Sequence, residues 1–384
     1  MTTAGPASVN VPVWDPDGSL ALSDLCDDLD ADTCVVGLGG TGLTAVLRLR
    51  ERGVPVVGLD AGTVAGGAAG RNGGLLLAGA AAPHHRAIRA FGRERATRLY
   101  RRTVRAIDEV LAAAPGTGLR CGSLRIAADD AEREDVREQL AAMREDGLPA
   151  EPYHGPEGAG LRFPHDAAID PLARCRALAR SAVREGATLF ERSPAVRIEG
   201  GRTGPVRVVT PHGSVRCRRA IVAIDGGLAR VLPELAATVR PVRLQMAATV
   251  PTGGPELPAP VYYRYGYEYW RRTPDGRIAA GGFRDAGGAA EETDVPVPTE
   301  AVQRRLDALL RDRIGTDAPV AFRWAAITGF GRTGLPFVGP VRPGVTAAGG
   351  YDGTGNLLGA VAGRALADHA AGDDPTDLKL FLSD

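Results

Sequence analysis

Along the chain the apolar positions change period several times, and each change marks an element. A short apolar run, Cys34-Val35-Val36, leads into glycines, a helical stretch and a second apolar run from Val54 to Leu59. That succession predicts strand, helix and parallel strand. Helical spacing returns with Tyr100, Val104, Ile107 and Leu111 on one face, and with Val136, Leu140 and Met143 on another. A further helix is predicted from about Asp170 to Gly186, where the glycine stops it. Strand-like pieces follow at Val196–Ile198, Val206–Val209 and Ala220–Ile224, with a turn around Pro211-His212-Gly213. From about 240 to 324 the pattern is β-rich, in Arg243–Val250, Pro260–Trp270 and Arg277–Gly282, with one helix after Thr299. A glycine-rich segment and a last helix, from about Asn356 to Ala371, close the chain.

Composition narrows the class. The chain has 384 residues, enough for two domains, with 44% hydrophobic and 24% charged residues. Its 46 basic and 46 acidic side chains balance, which argues against nucleic acid or an anionic membrane as a general partner. The acidic start (Asp15, Asp17, Asp24, Asp27, Asp28, Asp30) has no basic, apolar leader pattern, and no apolar run reaches the ~20 residues of a membrane span. Cys26, Cys34, Cys121, Cys175 and Cys217 are odd in number and scattered, fitting neither a disulfide framework nor a zinc site. A cytoplasmic protein with reduced thiols is expected. His154, His165, His212 and His369 have no metal-ligand spacing, so no metal is expected.

The first motif that carries chemistry is Gly37-Leu38-Gly39-Gly40-Thr41-Gly42, a G-x-G-x-x-G. Among 51 glycines such a match is weak alone, and a ligand-free βα turn is the bland alternative. Its context gives it meaning: an apolar strand before it, an amphipathic helix with Leu43, Val46 and Leu47 after it, and a second strand ending at Asp60. Gly37 suits the tight turn, Gly39 a close approach of backbone to a pyrophosphate, and Gly42 close packing of helix on strand. The helix N-terminus offers unpaired N–H groups and a positive dipole end to phosphate, with Thr41 in its first turn. Asp60, followed by Ala61, stands where a carboxylate accepts ribose hydroxyls, which favours FAD or NAD over NADP.

Beyond Asp60 lies Gly66-Gly67-Ala68-Ala69-Gly70-Arg71-Asn72-Gly73-Gly74, and near the other end Gly334-Leu335-Pro336-Phe337-Val338-Gly339-Pro340 and Gly349-Gly350-Tyr351-Asp352-Gly353-Thr354-Gly355-Asn356. These segments, with Pro241-Val242-Arg243 and Tyr269-Trp270…Gly281-Gly282 between them, resemble the D-amino-acid oxidase superfamily of flavoproteins. Glycine oxidase, sarcosine oxidase and γ-glutamylputrescine oxidoreductase belong to it, and the Arg-Asn-Gly-Gly segment and Tyr-Trp strand look most like the last. The resemblance runs from about residue 30 to residue 372 and implies FAD. It implies an α/β (α+β overall) fold: a Rossmann-like FAD-binding domain with an inserted antiparallel-sheet substrate domain. The expected division is a lead-in at 1–31, the FAD-binding domain at 32–90, 160–235 and 325–375, and the substrate domain at 91–159 and 236–324. Arg71, Asn72, Gly73, Gly74, Val196, Gly350, Gly353, Thr354, Gly355 and Asn356 then join the cofactor-binding set. A reduced flavin carries negative charge near N1, which suits the N-terminus of the last helix.

The chain departs from relatives in three ways. Some of them activate oxygen with a lysine near the flavin, whereas Lys379 in the tail is the sole lysine here. Neither a cysteine before the closing motif nor a histidine near residue 70 is present for covalent attachment, so non-covalent FAD is expected. The arginines that hold the substrate carboxylate in glycine and D-amino-acid oxidases fall on Thr328 and Gly353 here.

Tyr263, Tyr265, Tyr267 and Tyr269 alternate, so on one strand they would share a face. The resemblance puts Tyr269 and Tyr267 at the substrate, with Tyr265 beside them, and such rings suit an amine. A tyrosine-rich strand packed at a domain interface is the alternative reading. Arg243, Arg264, Arg284 and Arg332 could each hold a distant acidic group, and none stands out. Asp225, in a turn, reads as a turn cap that could also reach cofactor or substrate. The implied reaction passes a hydride from the α-carbon of an amine or N-substituted amino acid to flavin N5, giving an imine, with O2 as acceptor and H2O2 as product. A dehydrogenase feeding another acceptor, or an enzyme acting on an unusual C–N or N–N bond, are the alternatives. Substrate identity and oligomeric state stay open.

Overall fold

A computed structural model describes residues 8–15, 20–201 and 204–382. The predicted strand–helix–strand appears as Asp28–Val36, Gly40–Glu51 and Val56–Leu59. Around it a parallel core runs in the order Thr188–Phe190, Val56–Leu59, Asp28–Val36, Ser214–Val222, Val345–Gly349. Side chains alternate between two buried clusters: Val35 joins one with Leu43, Val46 and Val361, while Cys34 and Val36 join the other with Val57, Leu59 and Val222. Both faces of this sheet are therefore covered, as parallel sheets require. At about 1.5–3 kcal/mol for each large apolar side chain buried, the two clusters together anchor the sheet between its covering layers.

The helix Gly355–Ala371 lies against Gly40–Glu51 at close range, since a Cβ on Gly363 would stand 2.3 Å from the Thr41 carbonyl oxygen. The helix Pro171–Arg184 starts as its sequence predicts, with Asp170 accepting from the N–H groups of Leu172 and Ala173.

The second sheet has nine strands in the order Ser8–Val9, Val320–Gly331, Val239–Thr249, Ile278–Gly282, Glu268–Arg272, Val261–Tyr263, Ser123–Ile126, Gly158–Phe163, Glu151–Gly155. It is antiparallel over most of its width, as expected, with parallel pairing at Ser8↔Phe322 and Val261↔Leu124. The boundary drawn at 160 falls inside Gly158–Phe163 and that drawn at 325 inside Val320–Gly331. Sequence pattern alone could not show that these strands finish in this sheet.

Of the stretch read as a loose lead-in, residues 1–7 and 16–19, Asp17 included, lie outside the described residues. The rest is anchored. Asn10 accepts from Arg71, the Trp14 indole N–H donates to the Asn72 carbonyl at 2.8 Å, and the first Rossmann strand already begins at Asp28. No helix of the described residues is long and apolar enough to cross a membrane.

Candidate functional site

A cavity of about 1050 Å³ opens between the two sheets. One wall is made by the carboxyl ends of the parallel strands, with Val36, Gly37, Leu59, Asp60, Ala223 and Ile224 among its lining. This is where open α/β sheets bind ligands. Gly37 has φ +97, and a Cβ there would stand 2.5 Å from the Ala223 carbonyl oxygen, so only glycine makes this turn. The helix starts at Gly40 with Gly39 as a cap that brings no side chain, which leaves the first-turn N–H groups open toward the cavity. Thr41 also lines it, and its hydroxyl meets the Tyr351 hydroxyl at 2.9 Å.

Asp60 and Ala61 lie beside this turn. Asp60 Oδ2 accepts the Leu38 N–H at 2.8 Å and Oδ1 the Gly62 N–H at 2.9 Å. Burial raises its pKa, and the two N–H donors oppose that rise. Each oxygen keeps a lone pair for a hydroxyl donor.

The two glycine-rich segments are tied together by a pair of amides. Asn72 holds the short helix Ala68–Arg71 through the Ala68 and Ala69 carbonyls, and its Oδ1 accepts from Gly74 N–H at 2.7 Å and from Asn356 Nδ2 at 3.0 Å. Arg71 donates to the Ala325 and Asn10 carbonyls, each at 2.8 Å, and so fastens this segment to the large sheet. Arg71, Asn72, Gly73, Gly353, Thr354, Gly355 and Asn356 all line the cavity, as the sequence predicts.

Four expected cofactor residues do not line it. Gly42 packs instead: a Cβ there would stand 1.8 Å from the Gly37 carbonyl oxygen. Gly74, at φ +69, packs against the Ile169 carbonyl. Gly350, at φ +79, gives its N–H to Asp225 Oδ1 at 2.9 Å. Val196 donates its N–H to the Val209 carbonyl and is 51% exposed, while Pro194 and Ala195 take the lining position.

The large sheet supplies the other wall: Tyr262, Tyr265, Tyr267, Tyr269, Thr328, Phe330 and Arg284. The tyrosines do not come from one continuous strand. Val261–Tyr263 and Glu268–Arg272 are the arms of a hairpin, reversed by Arg264 (φ 46), Tyr265 (φ 53) and Gly266 (φ 82). Tyr262 faces Tyr269 across it, stacked at 6.2 Å, and Tyr263 turns instead to the Trp270 ring. Tyr262 was missed by the alternation argument, although a glycine in the middle of a tyrosine run is itself a hairpin signal. Burial raises the pKa of both Tyr262 and Tyr269, so their hydroxyls stay protonated donors at neutral pH.

Asp225 is more than a turn cap. At φ 47, it accepts the Gly329 N–H at 2.8 Å and the Gly350 N–H at 2.9 Å, joining the large sheet to the end of strand Val345–Gly349. Nearby, Asp352 accepts the Gly331 N–H at 2.8 Å, and burial pushes its pKa up to about 6. No group of three or more His, Cys, Asp or Glu among the described residues is placed to hold a metal.

Compared with known families, residues 32–369 match DAO, the FAD-dependent oxidoreductases. The chain belongs to this family. An oxidoreductase of Rhizobium meliloti (strain 1021), named probable OrdL, is 31% identical over 91% of this chain and 85% of its own length. The γ-glutamylputrescine oxidoreductase of Escherichia coli (strain K12) is 26% identical over 91% of this chain and 85% of its own. Among solved structures, glycine oxidase from Bacillus cereus ATCC 14579 superposes with a TM-score of 0.77 at 20% identity, covering 92% of this chain and 99% of that one. Family membership makes the protein an FAD-dependent oxidoreductase with a Rossmann-type cofactor domain, as the motifs imply.

Proposed function

We propose that the chain oxidises the C–N bond of an amine or N-substituted amino acid to an imine, with O2 as electron acceptor and H2O2 as product. One observation carries the reading: the hairpin tyrosines Tyr262, Tyr265, Tyr267 and Tyr269 line the same cavity as Gly39, Asp60 and Gly355. A dinucleotide site and an aromatic, hydroxyl-bearing chamber thus share one space. The names of the glycine oxidase and the γ-glutamylputrescine oxidoreductase support amine chemistry.

The residues present fit FAD. The side-chain-free start of the helix Gly40–Glu51 holds the pyrophosphate, Asp60 the ribose, and the turn Gly353-Thr354-Gly355 the flavin through its backbone. When bound, FAD supplies the two-electron acceptor for the hydride that leaves the α-carbon. The chain's own task is orientation. Protonated Tyr262 and Tyr269 donate hydrogen bonds and the ring faces attract the amine. FAD is proposed to be bound non-covalently: among the described residues no histidine lines the cavity, and Cys175, the one cysteine lining it, is buried. The five free cysteines suit a reducing compartment, and the cytoplasm is the proposed location.

The test is to incubate FAD-loaded protein in air with a panel of amines and amino acids, reading carbonyl product and peroxide together. Both should rise with one substrate class. No carbonyl product from any amine would sink the proposal. Carbonyl without peroxide in a parallel assay that supplies an artificial electron acceptor such as a dye would establish the second reading, a dehydrogenase. That reading is favoured by Lys379, the sole lysine, which sits in the tail paired with Asp374, so the cavity has no lysine to assist oxygen.

A further inference from the structure

Four arginines stood as equal candidates for an acidic group, and the structure separates them. Arg243 is buried against Glu291, with Nε to Oε2 at 2.9 Å. Arg264 pairs with Glu268 and with Asp285. Arg332 does not line the cavity. Arg284 does, and it has neither an ion pair nor a side-chain hydrogen bond among the described residues.

Its placement is built rather than incidental. At the end of strand Ile278–Gly282 the chain passes through Gly282 (φ 141) and Phe283 (φ 60), a left-handed conformation that costs a non-glycine residue energy. The Phe283 N–H is clamped to the Tyr267 carbonyl at 2.8 Å. The turn lays the Arg284 guanidinium over the Tyr267 ring at 4.6 Å and the Phe330 ring at 4.7 Å. These ring contacts use none of the guanidinium N–H donors, which a carboxylate can engage bidentately.

Asp352 stands near enough to Arg284 to interact with it electrostatically, yet no ion pair forms between them among the described residues. Asp225 is engaged by backbone N–H groups, Asp352 by Gly331, and the other arginine near the rim, Arg230, already pairs with Asp294 at 3.0 Å.

We infer that Arg284 is the anion-binding residue of the substrate chamber and that the substrate carries a carboxylate. The substrate class rests on the amine-oxidation reading, whereas the anion subsite does not.

Binding is measured by calorimetry on FAD-loaded protein with propionate and its neutral counterpart propionamide, neither of which can be turned over as an amine. Propionate should bind at least about tenfold more tightly than propionamide. Arg284→Gln should weaken propionate by about 10- to 100-fold, the span of losing a hydrogen-bonded charge. Arg284→Lys, which keeps the charge without the fork, should fall between, and Arg332→Gln should bind like the parent. FAD fluorescence quenching and the melting temperature show that each variant is folded. Equal propionate affinity in Arg284→Gln and the parent would overturn the inference, as would no propionate binding or no preference over propionamide. If propionate binds through Arg284 but no amine is oxidised, the subsite stands and the proposed reaction falls.

Discussion

The two walls of the cavity are built on opposite principles. The Rossmann wall is a backbone surface: Gly37, Gly39 and Gly40 line it with main chain, and its polar side chains hold each other or the backbone, as Asn356 donates to Asn72 and Asp60 accepts the Leu38 and Gly62 N–H groups. The large-sheet wall is a side-chain surface, with four tyrosines, Thr328, Phe330 and Arg284 arriving from three separate stretches of chain. A backbone surface suits a large ligand of fixed shape. A side-chain surface can be changed residue by residue, and this is the wall to which the proposed function assigns substrate specificity.

This contrast predicts very different sensitivities. The largest effect belongs to Gly42→Ala, whose Cβ would stand 1.8 Å from a backbone oxygen that has no freedom to move. It should cost more than about 4 kcal/mol or yield no soluble, FAD-binding protein; near-parent melting and FAD quenching would break the account of that wall. Asp225→Ala strikes the junction between the walls. It removes the acceptor of the Gly329 and Gly350 N–H groups, and at about 1–3 kcal/mol each the loss should be roughly 2–6 kcal/mol in urea unfolding. Asp225→Asn, which keeps an acceptor, should lose less.

A third effect depends on pH. Asp166, beneath the large-sheet side, accepts the Ser123 hydroxyl at 2.6 Å and the Ala78 N–H at 3.0 Å, and burial pushes it up to about 7. A carboxyl raised in the folded state contributes stability that is complete below the ordinary carboxylate range. That contribution is lost as pH rises through about 7. The parent should therefore lose stability between pH 5 and 8, and Asp166→Asn should flatten that slope by about 1–3 kcal/mol; identical slopes would refute the assignment. The smallest effect is Tyr262→Phe. Removing one hydroxyl should lower kcat/KM by about tenfold while moving FAD affinity less than about threefold, and the reverse pattern would mean the two walls are not separate in function.

The same contrast explains what could be read in advance. The dinucleotide turn lies within Gly37–Gly42, and its geometric demands are local, so glycine spacing and flanking apolar runs reveal it. The helices Pro171–Arg184 and Gly355–Ala371 were legible for the same reason, from periodicity and end signals. The large-sheet wall was only partly legible. An alternating tyrosine run reads as one strand until Gly266 is given its weight, and then Tyr262 replaces Tyr263 in the chamber. Arg284 and Asp225 owe their roles to partners more than forty residues away, Phe330 in one case and Gly329 and Gly350 in the other. Trp14, stacked under Arg271 at 4.7 Å, carried no sequence signal of its contact with the Arg-Asn-Gly-Gly segment. Val196 gives its N–H to the Val209 carbonyl, a pairing that spacing alone does not reveal.

The most direct test of the shared cavity is an anaerobic absorption titration of the FAD-loaded protein with amines that carry a carboxylate. The oxidised flavin band, expected near roughly 450 nm for any bound flavin, should bleach stoichiometrically with one such compound. It should bleach far more slowly with the corresponding amine that lacks the carboxylate. A yellow protein that no amine or amino acid bleaches would contradict the account, leaving a dinucleotide wall without the chemistry assigned to the wall that faces it.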